Sequence, residues 1–204
     1  MFLPHALNML GCGYSSPAVI CNAMQSSQRA SVSPCFQVIQ LTLCSILAAA
    51  LFGALHDQIS YSVSPEYFTL LKFQQFHLTE WALPLRVKAA LVGVFATWWM
   101  GILLGLGLAV AATRWYGEQA AVAFWRLLPW LLTGCLLASL IGLGVGVWQT
   151  QDLTAFAHKR VPVGLVDLRS YLWVGFMHKG AYVGGSLALP LGIAWLYWCR
   201  PNRL

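Results

Sequence analysis

The chain has 204 residues, 59% of them hydrophobic and only 9% charged, with a mean hydropathy of +0.67. That excludes an ordinary soluble domain, in which about a quarter of residues are charged, and the length suits one compact domain. The net charge of +6 comes from Lys and Arg scattered singly, without a basic stripe. This excludes nucleic acid as a partner and suits loops lying beside a lipid bilayer.

Residues 1–35 are weakly patterned, with Gly11, Gly13, Pro4, Pro17, Pro34 and the single charge Arg29. A disordered extension is expected, and a chain starting at Met24 would place Arg29 directly before the first apolar run. That run, about 36–55 (FQVIQLTLCSILAAALFGAL), is 20 residues long and spans one bilayer core at 1.5 Å per residue. It also reads as a signal sequence, but Leu51 and Phe52 spoil most cleavage frames, so a retained signal-anchor is expected.

The connection 56–88 is the longest polar interval that follows. Ile59 to Val63 alternates with period two, as a short extended segment would. Ser64-Pro65-Glu66 then carries three helix-start signals: an N-cap, a proline at N1 and a first-turn acid. Tyr67, Phe68, Leu70, Leu71, Phe73 and Phe76 oppose Lys72, Gln74 and Gln75, the pattern of a short helix lying in the membrane interface.

A second span is expected over about 89–112, flanked by Arg86, Lys88 and Arg114. It carries Gly101-x-x-x-Gly105, whose small-residue face is read as close packing within the bundle. Mid-span Trp98 and Trp99 are expected to pack against glycines of neighbouring helices; the alternative is the wall of a cavity for an apolar ligand. A third span covers about 127–148. The second polar connection, 149–172, brings Asp152, His158, Lys159, Arg160 and Asp167, with Asp167 able to cap the fourth span at about 173–198. Pro190 is a candidate kink. The predicted fold class is therefore an all-α integral membrane protein with four transmembrane helices (residues 36–204) and one interfacial helix.

Four spans place both termini on one face and both polar connections on the other. Five Lys and Arg lie on the terminal face (Arg29, Arg114, Arg126, Arg200, Arg203) and seven on the other, over much longer intervals. The short, arginine-flanked link between the second and third spans and Arg29 before the first favour cytoplasmic termini.

The same alternation gathers most of the titratable groups. His56 and Asp57 end the first span and His178 and Lys179 begin the fourth, joined at one face by Glu66, His77, Glu80 and His158. Ionisable groups near a membrane core are costly and turn toward the bundle interior. His56 and His178 are the candidate ligands for a transition metal or haem. The competing reading is structural: His178 bonds a neighbouring helix and Lys179 snorkels to the headgroups. No H-E-x-x-H spacing, phosphate loop or serine-hydrolase motif is present, and the six cysteines form no C-x-x-C pair.

His56-Asp57-Gln58 with Ser64-Pro65-Glu66-Tyr67-Phe68 resembles a pattern of uncharacterised bacterial multi-pass membrane proteins. His178-Lys179-Gly180-Ala181-Tyr182-Val183-Gly184-Gly185 is similar to a second patch in the same group. The resemblance covers about 36–198 and implies a bacterial inner-membrane protein; no activity comes with it.

Three functional classes follow. The first is a non-enzymatic component binding a membrane-protein partner, a further copy of itself or a ligand through connections 56–88 and 149–172. The second is a metal- or haem-binding redox or sensor protein using His56 and His178. The third is a small oligomeric transporter, although its middle spans offer little polar lining beyond Thr97, Thr133 and Ser139.

Overall fold

A computed structural model describes residues 33–158 and 160–201. Of the extension expected over 1–35, residues 1–32 lie outside the described residues, while Pro34 and Cys35 already belong to the first helix. From Ser33 onward the described chain is helical and contains no strand. Four long helices dominate it: α1 (Pro34–Val63), α2 (Leu85–Tyr116), α3 (Ala120–Gln149) and α4 (Leu168–Trp198). Each runs beyond its expected span, because the polar residues at the ends are accommodated as helix rather than as connection. Three helical stretches are long and apolar enough to cross a membrane: Pro34–Val63, Leu85–Gln149 and Leu168–Trp198. The middle one is α2 and α3 joined through the single 3-10 turn Gly117–Gln119.

The structure departs from the expected pattern at two places. Residues 59–63 are the last turns of α1, not an extended segment. Ser60 and Ser62, which produced the polar alternation, donate to the carbonyls four residues back, His56 at 3.1 Å and Gln58 at 3.0 Å. A serine absorbed this way is compatible with helix whatever its period. Trp98 and Trp99 do not line the cavity beside His56, and both are nearly half exposed.

The helix started by Pro65 is present, as Pro65–Tyr67, a π-helical Phe68–Lys72 and Phe73–Gln75. Its apolar face is turned into the bundle. Tyr67, Phe68 and Phe73 are buried in a core with Tyr61, Leu78, Ala89, Val92 and Val174, so the segment is a plug over one end of the bundle. It stops at His77, whose φ of 56° is left-handed. The Leu78 N–H donates to the Phe73 carbonyl at 2.8 Å and the His77 N–H to Gln74 at 3.2 Å, a C-terminal cap that normally uses glycine. Lys88, buried, ties the following loop down by donating to the Thr79 carbonyl at 2.9 Å.

The helices associate as two hairpins. In the first, α1 meets α2 through glycines: Gly53 and Gly93 face each other, and a Cβ on Gly101 would stand 2.6 Å from the Ile46 Cα. The G-x-x-x-G face therefore packs within the chain. In the second, a Cβ on Gly184 of α4 would meet the Cys135 Cα of α3 at 2.9 Å, and Gly142 and Gly180 allow similar approach. Pro129 and Pro190 are carried inside α3 and α4 without ending them. At the end opposite the plug a second core forms around Leu108, Ala112, Phe124, Leu127 and Leu196. Outward, Leu43, Leu47, Leu51 and Leu55 form an exposed stripe at four-residue spacing on α1. Such a face is a mismatch for water and a match for hydrocarbon.

Candidate functional site

Between the two cores, at the seam of the hairpins, three chemistry-bearing side chains meet. His56 and Asp57 come from α1 and His178 from α4; one ligand atom from each lies within 4.8 Å of the others. His56 and Asp57 are neighbours on a 3.6-residue helix, so their side chains diverge by about 100°. Both are nevertheless buried, because α1 is clasped between α2 and the second hairpin. Asp57 is only 2% exposed and His178 9%.

The hydrogen bonding is asymmetric. His56 Nδ1 lies 3.0 Å from Asp57 Oδ1, and His56 Nε2 lies 2.8 Å from the Ser139 Oγ of α3. Both nitrogens of that ring are engaged and its orientation is fixed. His178 Nε2 lies 3.8 Å from Asp57 Oδ1, too far for a hydrogen bond. Neither His178 Nε2 nor Asp57 Oδ2 has a hydrogen-bond partner, although both are buried. Leaving such groups unsatisfied costs about 1–3 kcal/mol each, more for a charged one.

The plug completes the site from one end. The Tyr67 ring stacks on His178, with centroids 5.2 Å apart and planes 17° from parallel, and the His56 and His178 rings meet edge-on at 5.1 Å. Burial pushes the Tyr67 hydroxyl well above the usual phenol range, so the ring stays neutral. Lys72 on the same segment lies 5.6 Å above the Tyr67 ring. Burial lowers its ammonium pKa, opposed by the Asp57 charge. On the other side of the three residues a cavity of about 110 Å³ opens, walled by Phe52, Met100, Leu132, Cys135 and Gly185 among others.

The remaining expected site residues do not join this group. Glu66 is a clamp: its two oxygens accept the N–H groups of Val166 at 3.0 Å and Asp167 at 2.9 Å, holding the second connection to the plug. Asp167 caps α4, accepting from the N–H groups of Arg169 and Ser170. His77, Glu80 and His158 are exposed. Lys179 is also exposed, with its Nζ 5.0 Å above the Phe176 ring. Asp152, exposed, accepts from the Thr154 N–H and hydroxyl, and these bonds hold its carboxyl below the usual carboxylate range.

A Ser139–His56–Asp57 chain has the order of a nucleophile, base and orienting acid. Ser139, however, is fully buried and does not line the cavity; its hydroxyl lies 2.8 Å from His56 Nε2 and holds that ring. The fold thus defines an all-helical, membrane-compatible bundle with a buried His–Asp–His group. Compared with protein families, curated proteins and solved structures, the chain matches none of them.

Proposed function

We propose that this protein is a four-span bacterial inner-membrane protein with cytoplasmic termini that holds one divalent transition-metal ion between His56, Asp57 and His178. The observation that carries the reading is that one donor atom from each of three buried residues lies within 4.8 Å of the others, while Asp57 Oδ2 and His178 Nε2 are buried without a hydrogen-bond partner. A buried carboxylate is unfavourable unless fully partnered, and among the described residues Asp57 has only His56 within hydrogen-bond reach, on Oδ1, and no lysine or arginine in an ion pair. A metal ion would answer the carboxylate and the bare nitrogen together. Two imidazoles and one carboxylate are the donor set of non-haem iron(II) sites and of His₂-carboxylate zinc sites. Ser139, accepting from His56 Nε2–H, would leave Nδ1 as the ligating atom, the outer-shell role that fixes a histidine's tautomer in metal sites.

Haem fits poorly. Rings meeting edge-on at 5.1 Å leave no room for a macrocycle between them. The adjoining 110 Å³ is also well below the roughly 300–1,000 Å³ of a cofactor pocket.

The test is elemental analysis and an absorption spectrum of the detergent-purified full chain, beside His56→Ala and His178→Ala. About one metal per chain, lost in both variants, supports the reading. A wild-type protein that stays metal-free after exposure to iron(II) and zinc overturns it. A second reading, docking of another membrane protein or a further copy through connections 56–88 and 149–172, is favoured by the exposed apolar Val163, Val166 and Trp81 there. Cross-linking from a cysteine placed at Val163 would capture that neighbour, and only monomer on the gel would sink it.

A further inference from the structure

We infer that the cavity beside the His–Asp–His group takes a small, uncharged, lipid-soluble phenol or alcohol, whose oxygen occupies the open position on the metal. The polar end of this inference rests on the metal reading; the apolar end rests on the cavity alone.

His56, Asp57 and His178 all lie on the cavity wall, so three protein donors approach a metal from one side and the fourth position faces the cavity. Three protein ligands with an open fourth position is the arrangement of sites that exchange a small molecule, as opposed to closed structural sites. Away from these three residues the walls offer no charge. Two hydroxyls lie on the wall, those of Thr97 and Tyr182, and that of Thr97 is committed to the carbonyls of Ala49 at 2.7 Å and Gly93 at 2.8 Å. To reach the metal by this route an ion would have to shed its hydration against apolar walls, which a neutral molecule does not.

Size sets the next limit. The cavity's 110 Å³ is somewhat under the roughly 150 Å³ of an engineered apolar cavity that takes up benzene. One ring therefore fills the enclosed part, and a substituent opposite its hydroxyl would project toward the open mouth at Tyr182. The mouth sets the route. Tyr182 lines the cavity yet is 57% exposed, near the middle of α4. The opening thus faces the hydrocarbon depth of the spans, and the plug covers the end toward the polar connections. A molecule arriving this way must partition into lipid. A hydroxyl on a ring meets every condition: a neutral body for the walls and a single oxygen for the metal.

The experiment uses the full chain in detergent, loaded with cobalt(II), whose visible spectrum reports changes in coordination. The probes are 4-methylphenol, toluene and benzoate. The expected result is a saturable spectral change with 4-methylphenol, none with benzoate, and competition by toluene without a change of its own. Gly185→Leu provides the control. A Cβ there meets only the Met100 Cε at 3.5 Å, ordinary contact, so leucine has room to grow into the cavity. That variant should keep the cobalt spectrum and lose at least tenfold in 4-methylphenol affinity. An intact cobalt spectrum that ignores 4-methylphenol, or answers benzoate equally, overturns this inference and leaves the metal reading standing. Absence of any cobalt spectrum overturns the metal reading and, with it, the oxygen–metal contact. Thermal stabilisation by 4-methylphenol, present in wild type and lost in Gly185→Leu, then still decides whether the cavity takes the ring.

Discussion

Asp57→Asn separates a metal site from a merely structural cluster because the two give opposite signs. The carboxylate is 2% exposed, with its oxygen 3.0 Å from His56 Nδ1 and 3.8 Å from His178 Nε2. In metal-free protein the buried carboxyl has His56 on one oxygen and no partner on the other, contacts that an isosteric amide can keep without burying a charge. Metal-free Asp57→Asn is therefore expected to unfold at the same temperature as metal-free wild type, or higher. With metal at a thousandfold excess over its dissociation constant, wild type gains about 4.1 kcal/mol. Outer-shell partners alone are worth about 10–100-fold in affinity, so loss of an anionic ligand is expected to cost at least 100-fold. That removes about 2.7 kcal/mol of the metal-dependent gain. The assay is thermal unfolding in detergent of both proteins, with chelator and with iron(II) or zinc. An equal metal response in the two proteins would refute the reasoning. So would a chelated variant clearly less stable than chelated wild type.

Other consequences are structural. Gly93→Leu should disrupt the first hairpin, because any Cβ there collides with the Gly53 backbone, which has no side chain to move aside; overpacking costs about 1–3 kcal/mol, read as a lower unfolding temperature. His77→Gly should raise that temperature, since a non-glycine residue held at φ 56° carries about 1 kcal/mol or more of strain; a clear loss would mean that the imidazole makes a stabilising contact. Asp152→Ala should destabilise the second connection at pH 7, read by hydrogen exchange over 152–157. Because the Thr154 bonds depress this carboxyl, their contribution is present above its ordinary pKa of 3.8 and vanishes as acid protonates it. The difference between variant and wild type should therefore close at the acid end.

Much of the architecture was legible in the sequence because it rests on local signals. Four apolar runs, Pro65 after Ser64, and Asp167 before α4 each act within a few residues, and the structure contains a helix at each. The gathering of His56, Asp57 and His178 also followed from span alternation. What the sequence concealed is non-local. Ser139 lies 83 positions from His56, and nothing in its neighbourhood distinguishes it from any small residue on a packed helix. Glu66 looked like one member of a polar cluster, yet its partners are backbone groups a hundred residues away, which no side-chain pattern encodes. The plug misled for a related reason: an amphipathic pattern fixes that one face is apolar, not whether lipid or protein covers it.

The seam between the hairpins has a developmental consequence. α1 and α2 meet through their own glycines, as do α3 and α4, so each hairpin has its own seam. His56 and Asp57 belong to the first half; His178 and Ser139 belong to the second. Neither half alone presents a complete donor set, so an ion captured there would rivet finished halves together and ignore incomplete ones.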